Sequence, residues 1–150
     1  MTDDRKLRLL FVTEDDPLYV IRFFEVFFDE YPKERIEIVG VSVQEAFHEP
    51  IWKTARRMLR FYGPIDFVRL CARYARVKLR GDSIARLAER KGLPVVPCGS
   101  VNDPAYVAKA RELRPDVIAS VAAPEIFRKD ILAVPAMRAI NIHSGKLPVY

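Results

Sequence analysis

The chain has 150 residues, half of them apolar and 30% charged, which is too apolar for a disordered segment and long enough to bury one core. No apolar run nears the ~20 residues of a spanning helix, and the opening MTDDRKLR lacks a signal-like stretch, so a soluble, cytoplasmic protein is expected. Cys71 and Cys98 form no CxxC pair, which argues against a disulfide framework or a zinc site and for two buried thiols, and the net charge of +5 is concentrated in one segment.

In chain order, LRLLFV (Leu7 to Val12) is a continuous apolar run that suits a parallel strand covered on both faces. Asp16-Pro17 then predicts a helix start, with the carboxylate capping free N–H groups, and the helix runs to about Tyr31 before Pro32. RIEIVGVSV (Arg35 to Val43) is β-branched and predicts the second strand. Residues 50–80 predict two amphipathic helices broken at Gly63-Pro64, the second with an apolar stripe of Phe67, Leu70, Cys71, Tyr74 and Val77. This pair has the look of an insertion.

From Ser83 the alternation resumes with a helix to Lys91, a stop at Gly92 and a short strand LPVV. A helix capped by Asp103-Pro104 precedes the strand DVIASVA (Asp116 to Ala122), a short helix over Glu125 to Leu132, and a last strand RAINIH (Arg138 to His143). Such alternation predicts an α/β fold: a Rossmann-like, open, mainly parallel, doubly wound sheet with an inserted basic helical pair. The expected organisation is one domain over residues 1–150, incomplete at its carboxyl end, with the insertion at 50–80 inside it.

Asn141 and His143 are two apart in the last strand, so their side chains share a face near its carboxyl end, where open α/β sheets hold ligands. An amide beside an imidazole can hold the negative charge that develops on a carbonyl oxygen under attack, and one such donor is typically worth ~2.7–4 kcal/mol of barrier. Spacing alone also allows an asparagine serving a turn and a satisfied histidine at a strand end. After the first strand the turn reads Thr13-Glu14-Asp15-Asp16 rather than a glycine-rich loop, so a dinucleotide's phosphates would meet acid instead of N–H groups.

The string NIHSGKLPVY resembles the Asn-x-His signature of the folate-dependent formyltransferase family. The resemblance extends upstream through SIARLAERKGLPVV and VNDPAYVAKARELRPDVIASVAAPEIF, covering about residues 83–150. It implies transfer of a formyl group from 10-formyltetrahydrofolate to an amine, on an aminoacyl-tRNA such as methionyl-tRNA or on an amino sugar nucleotide. Asn141 and His143 would polarise the formyl oxygen, His143 as the protonated imidazole, and the aspartate that completes the family's set is expected beyond Tyr150.

The same resemblance places the folate's pteridine against the loop Val121, Ala122, Ala123, Pro124, Glu125, Ile126 and Phe127. There Ala122 and Ala123 leave room for a flat ring, and Pro124 removes one backbone donor. A formyl-folate hydrolase would use the same Asn and His with water in place of the amine. From another class, a non-catalytic module could dock an anionic partner through its basic helices.

Between Lys53 and Arg80 stand nine Lys or Arg and one acid, Asp66, a local net charge of +8. Arg69, Arg73, Arg76 and Arg80 recur at steps of three and four, joined by Arg56, Arg57 and Arg60, with Trp52, Tyr62 and Tyr74 interleaved. Arg69, Arg73 and Arg76 are the candidates for binding an anionic acceptor. The surface could take tRNA phosphates, a sugar-nucleotide diphosphate or, less favoured, an anionic membrane, and a plain solvated face is the commoner reason for such a stripe.

Overall fold

A computed structural model describes residues 5–16, 18–45 and 51–142. Four strands, β1 (Leu7–Glu14), β2 (Ile36–Gln44), β3 (Val117–Val121) and β4 (Arg138–Ile142), form one parallel sheet in the order β2-β1-β3-β4. The order places β1 and β3 at the centre, and their apolar runs follow from being covered on both faces.

On one face, Leu9 and Phe11 of β1 pack with α1 (Val20–Glu30) through Ile21, Phe24 and Phe28. The helix α3 (Ile84–Arg90) adds Ile84, Leu87 and Ala88 to the same layer. Phe11 makes edge-to-face contacts with Phe24 at 5.3 Å and Phe27 at 5.1 Å between ring centroids. On the other face Leu10, Val12 and Ile118 meet Tyr106, Val107 and Ala110 of α4 (Pro104–Glu112) and Ile131 of α5 (Lys129–Leu132). The alternation of side chains along β1 thus feeds two layers, as the doubly wound reading requires.

Gly40 sits beside a register shift between β1 and β2. A Cβ there would lie 2.8 Å from Val96 Cγ2 and 2.9 Å from Leu10 Cδ1, so a side chain at this position would force those two to shift. Asp103 caps α4 as expected, accepting from Ala105 N–H, and the Ser83 hydroxyl accepts from Arg86 N–H at the start of α3. Asp16 Oδ1 accepts from Leu18 N–H at 2.7 Å, closing a turn, and α1 begins only at Val20.

Three elements differ from expectation. LPVV is reduced to a single bridge between Val95 and Val41, because Pro94 and Pro97 on either side lack the N–H groups that would extend the ladder. The helix predicted from Glu125 starts at Lys129. Its first residues bond to the Asn102 side chain instead: Asn102 Nδ2 donates to the Ile126 carbonyl at 3.0 Å, and Arg128 N–H donates to Asn102 Oδ1 at 2.8 Å.

The third is Cys71, expected to be buried but exposed; Cys98 is half-buried. Cys71 lies on α2 (Ile51–Arg80), two helical halves joined at Gly63, whose left-handed backbone (φ 76°) breaks the helix before Pro64. In the second half Phe67, Leu70, Arg73 and Val77 are half-buried, and that packing side leaves position 71 outward. Arg73 docks the helix on the body, its Nη2 donating to the Leu18 carbonyl at 2.7 Å and its guanidinium lying over the Tyr19 ring. No described helix is long and apolar enough to cross a membrane.

Candidate active site at the carboxyl edge of the sheet

The carboxyl ends of β3 and β4 run side by side, with Ser120 opposite Asn141 and Val121 opposite Ile142. Val121 is a buried core residue. Ala122, in a left-handed backbone conformation (φ 50°), then swings the chain off the sheet. That conformation costs an L residue about 1–2 kcal/mol.

The loop that follows faces β4 across a cavity of about 390 Å³, lined by Ala123, Pro124, Glu125, Ile126, Phe127 and Asn141 with Ser120, Leu132, Ala139 and Ile140. The size falls within the range of small-ligand pockets, and apolar side chains share the walls with polar groups from Ser120, Glu125 and Asn141. Asn141 is exposed at its edge, so its amide can reach a ligand. Five of the seven predicted loop residues therefore line the cavity with Asn141, while Val121 belongs to the core. Ala122 acts through its backbone. His143 and the Ser144 to Pro148 turn lie outside the described residues.

Glu125 holds the loop in place. Its Oε1 accepts from Ser100 Oγ at 2.6 Å and Asn102 Nδ2 at 3.0 Å, and its Oε2 accepts from Gln44 Nε2 at 2.9 Å and the Val101 N–H at 3.0 Å. Burial pushes the carboxyl upward, but these donors outweigh it and bring the pKa down to about 2. Glu125 is therefore ionised at neutral pH and a weak base.

Gln44 is 3% exposed, and its Oε1 has no hydrogen-bond partner among the described residues. Nearby, burial and the Glu125 charge push the Cys98 thiol up to about 12, so it stays protonated. Sequence reading missed the Ser100, Asn102 and Gln44 clamp. The short polar run Ser100-Val101-Asn102-Asp103 was its one visible sign, and that run looked like a helix cap.

The acidic turn after β1 has structural partners. Asp15 Oδ1 accepts from Ile84 N–H at 3.0 Å, and Asp16 serves the turn before α1. Of the arginines singled out, Arg69 is exposed and paired with Asp66 at 2.9 Å, Arg76 is exposed, and Arg73 faces α1. None of them lines the cavity at Asn141.

A parallel sheet covered on both faces, with a pocket outside the carboxyl ends of its strands, defines a Rossmann-like α/β fold. No protein-family model matches the chain. The methionyl-tRNA formyltransferase of Roseiflexus castenholzii is 45% identical over 67 residues, covering 45% of this chain and 21% of that protein. That of Herpetosiphon aurantiacus is 46% identical over 72 residues, 48% of this chain and 24% of that protein. That of Geobacter metallireducens is 40% identical over 73 residues, 49% of this chain and 24% of that protein. Over that matched half the chain is similar to methionyl-tRNA formyltransferases, and the match spans less than a quarter of these relatives' length.

Proposed function

We propose that the cavity between loop 123–127 and β4 holds the pteridine end of 10-formyltetrahydrofolate, and that the protein transfers its formyl group to an amine. The observation that carries this reading is the convergence of Asn141 and the loop on one pocket at the carboxyl edge of β3 and β4. The acceptor amine attacks the formyl carbon, a C–N bond forms, and the carbonyl electron pair moves onto oxygen. The Asn141 amide donates to that oxyanion, with His143 as the second donor. Collapse re-forms the carbonyl, breaks the C–N10 bond and releases tetrahydrofolate with a proton taken up at N10, matching the one the amine loses.

The amine must also lose a proton, and Glu125 is not the group that takes it, because its four donors keep it ionised and weakly basic. For the acceptor, the names of the relatives favour an aminoacyl-tRNA over an amino sugar nucleotide. The test is formyl transfer to methionyl-tRNA by the full-length protein and its Asn141→Ala variant. Loss of one oxyanion donor lowers the turnover rate by about 10²–10³. An unchanged rate removes Asn141 from the mechanism.

A further inference from the structure

The second half of α2 carries an apolar stripe that points into solvent. Ile65, Val68, Ala72, Ala75 and Leu79 follow one another at steps of three and four, which sets them on one face of the helix. All five are exposed, Ile65 at 70%, Val68 at 65% and Leu79 at 89%. The opposite side, with Leu70 and Val77, packs toward the body, and Arg73 fastens it to Leu18 in the turn before α1. The described residues therefore leave the stripe uncovered.

Along one flank of it run Arg69, Arg76 and Arg80, all exposed. Before the Gly63 break, Trp52 (63% exposed) and Phe61 (80%) stand among Lys53, Arg56, Arg57 and Arg60, together lining a hollow of about 670 Å³ on that one helix segment. Asp66 is the single acid between Lys53 and Arg80.

We propose that α2 is an interfacial anchor, lying in the headgroup layer of an anionic lipid membrane with its apolar stripe and aromatic side chains inserted and its arginines among the lipid phosphates. Interfacial helices pair large apolar side chains with a basic polar face in this way. Charge complementarity selects the occupant. A second copy of the chain docked face to face would bring two cationic rows together. An RNA would satisfy the arginines and leave Ile65, Val68 and Leu79 in water. A lipid surface satisfies both sets at once. The inference rests on α2 alone and stands or falls apart from the formyl-transfer reading.

The experiment is flotation of the full-length protein with phosphatidylcholine vesicles, with and without phosphatidylglycerol, beside a titration with bulk tRNA. The expected result is flotation only with phosphatidylglycerol, weakened by salt. Replacing Val68 and Leu79 together by serine lowers that partitioning roughly tenfold or more, since two exposed side chains lose their apolar burial. The same variant keeps the helical circular-dichroism signal and any tRNA affinity. Absence of flotation, flotation indifferent to the serine pair, or tRNA binding that the serine pair weakens in parallel would each overturn the proposal.

Discussion

Glu125 shows what a single residue does to the site. It stands in the middle of the cavity wall, yet its carboxylate is spent on holding Gln44, Ser100, Val101 and Asn102. Truncating it to alanine leaves those buried or half-buried donors without their acceptor, so Glu125→Ala costs about 2–3 kcal/mol in urea unfolding.

The linkage has a definite sign. A carboxyl lowered from 4.5 to about 2 stabilises the fold at pH values above its unfolded pKa, and that contribution is lost as pH falls from about 4.5 toward 2. Wild type therefore loses urea stability more steeply over that window than Glu125→Gln. The variant still retains the acid dependence of Asp116, which the Arg8 backbone N–H and the Arg5 guanidinium hold below the usual carboxylate range. Equal slopes would mean that Glu125 titrates in the fold as it does in the unfolded chain. Ala122 makes a second residue-scale prediction. At φ 50° a β-branched side chain is strained further, so Ala122→Val destabilises by about 1 kcal/mol or more while Ala122→Gly is tolerated, as thermal unfolding of the two will show.

At the scale of elements, the strands and caps were legible because their causes are local. A continuous apolar run marked β1, and Asp103-Pro104 announced α4 through the Asp103 side chain. What escaped has non-local causes. The segment Glu125–Arg128 reads as helix from its own residues, but Asn102 takes its backbone groups from 24 and 26 residues away. The packing side of α2 was misjudged at position 71 for a related reason: Arg73, a cation, faces the body and turns Cys71 outward. Gly40 is a third case, read simply as part of a strand, although its lack of a side chain lets β2 approach Val96 and Leu10. Gly40→Ala is expected to destabilise by about 1–3 kcal/mol, the usual cost of overpacking; an unchanged urea midpoint would show that Val96 and Leu10 move aside freely.

For the whole molecule, two surfaces carry the functional argument and they are separate. One is the cavity at the sheet's carboxyl edge, whose residues 123–127 and Asn141 were picked out in the sequence and which the fold gathers into one pocket. The other is the outward face of α2, whose charge was plain in the sequence. Its exposed apolar stripe became visible only once the packing side was known. Sequence spacing could place Asn141 on the last strand, but only the register of β3 with β4 brings Ser120 and the loop beside it.

Folate binding in this cavity is tested most directly by titrating isotope-labelled protein with 5-formyltetrahydrofolate, a stable analogue of the donor, and following backbone amide chemical shifts. With folate in the cavity, the largest changes fall on Ala123, Glu125, Ile126, Phe127 and Asn141. No change there, or changes centred instead on Thr13 to Asp16 at the end of β1, would contradict it.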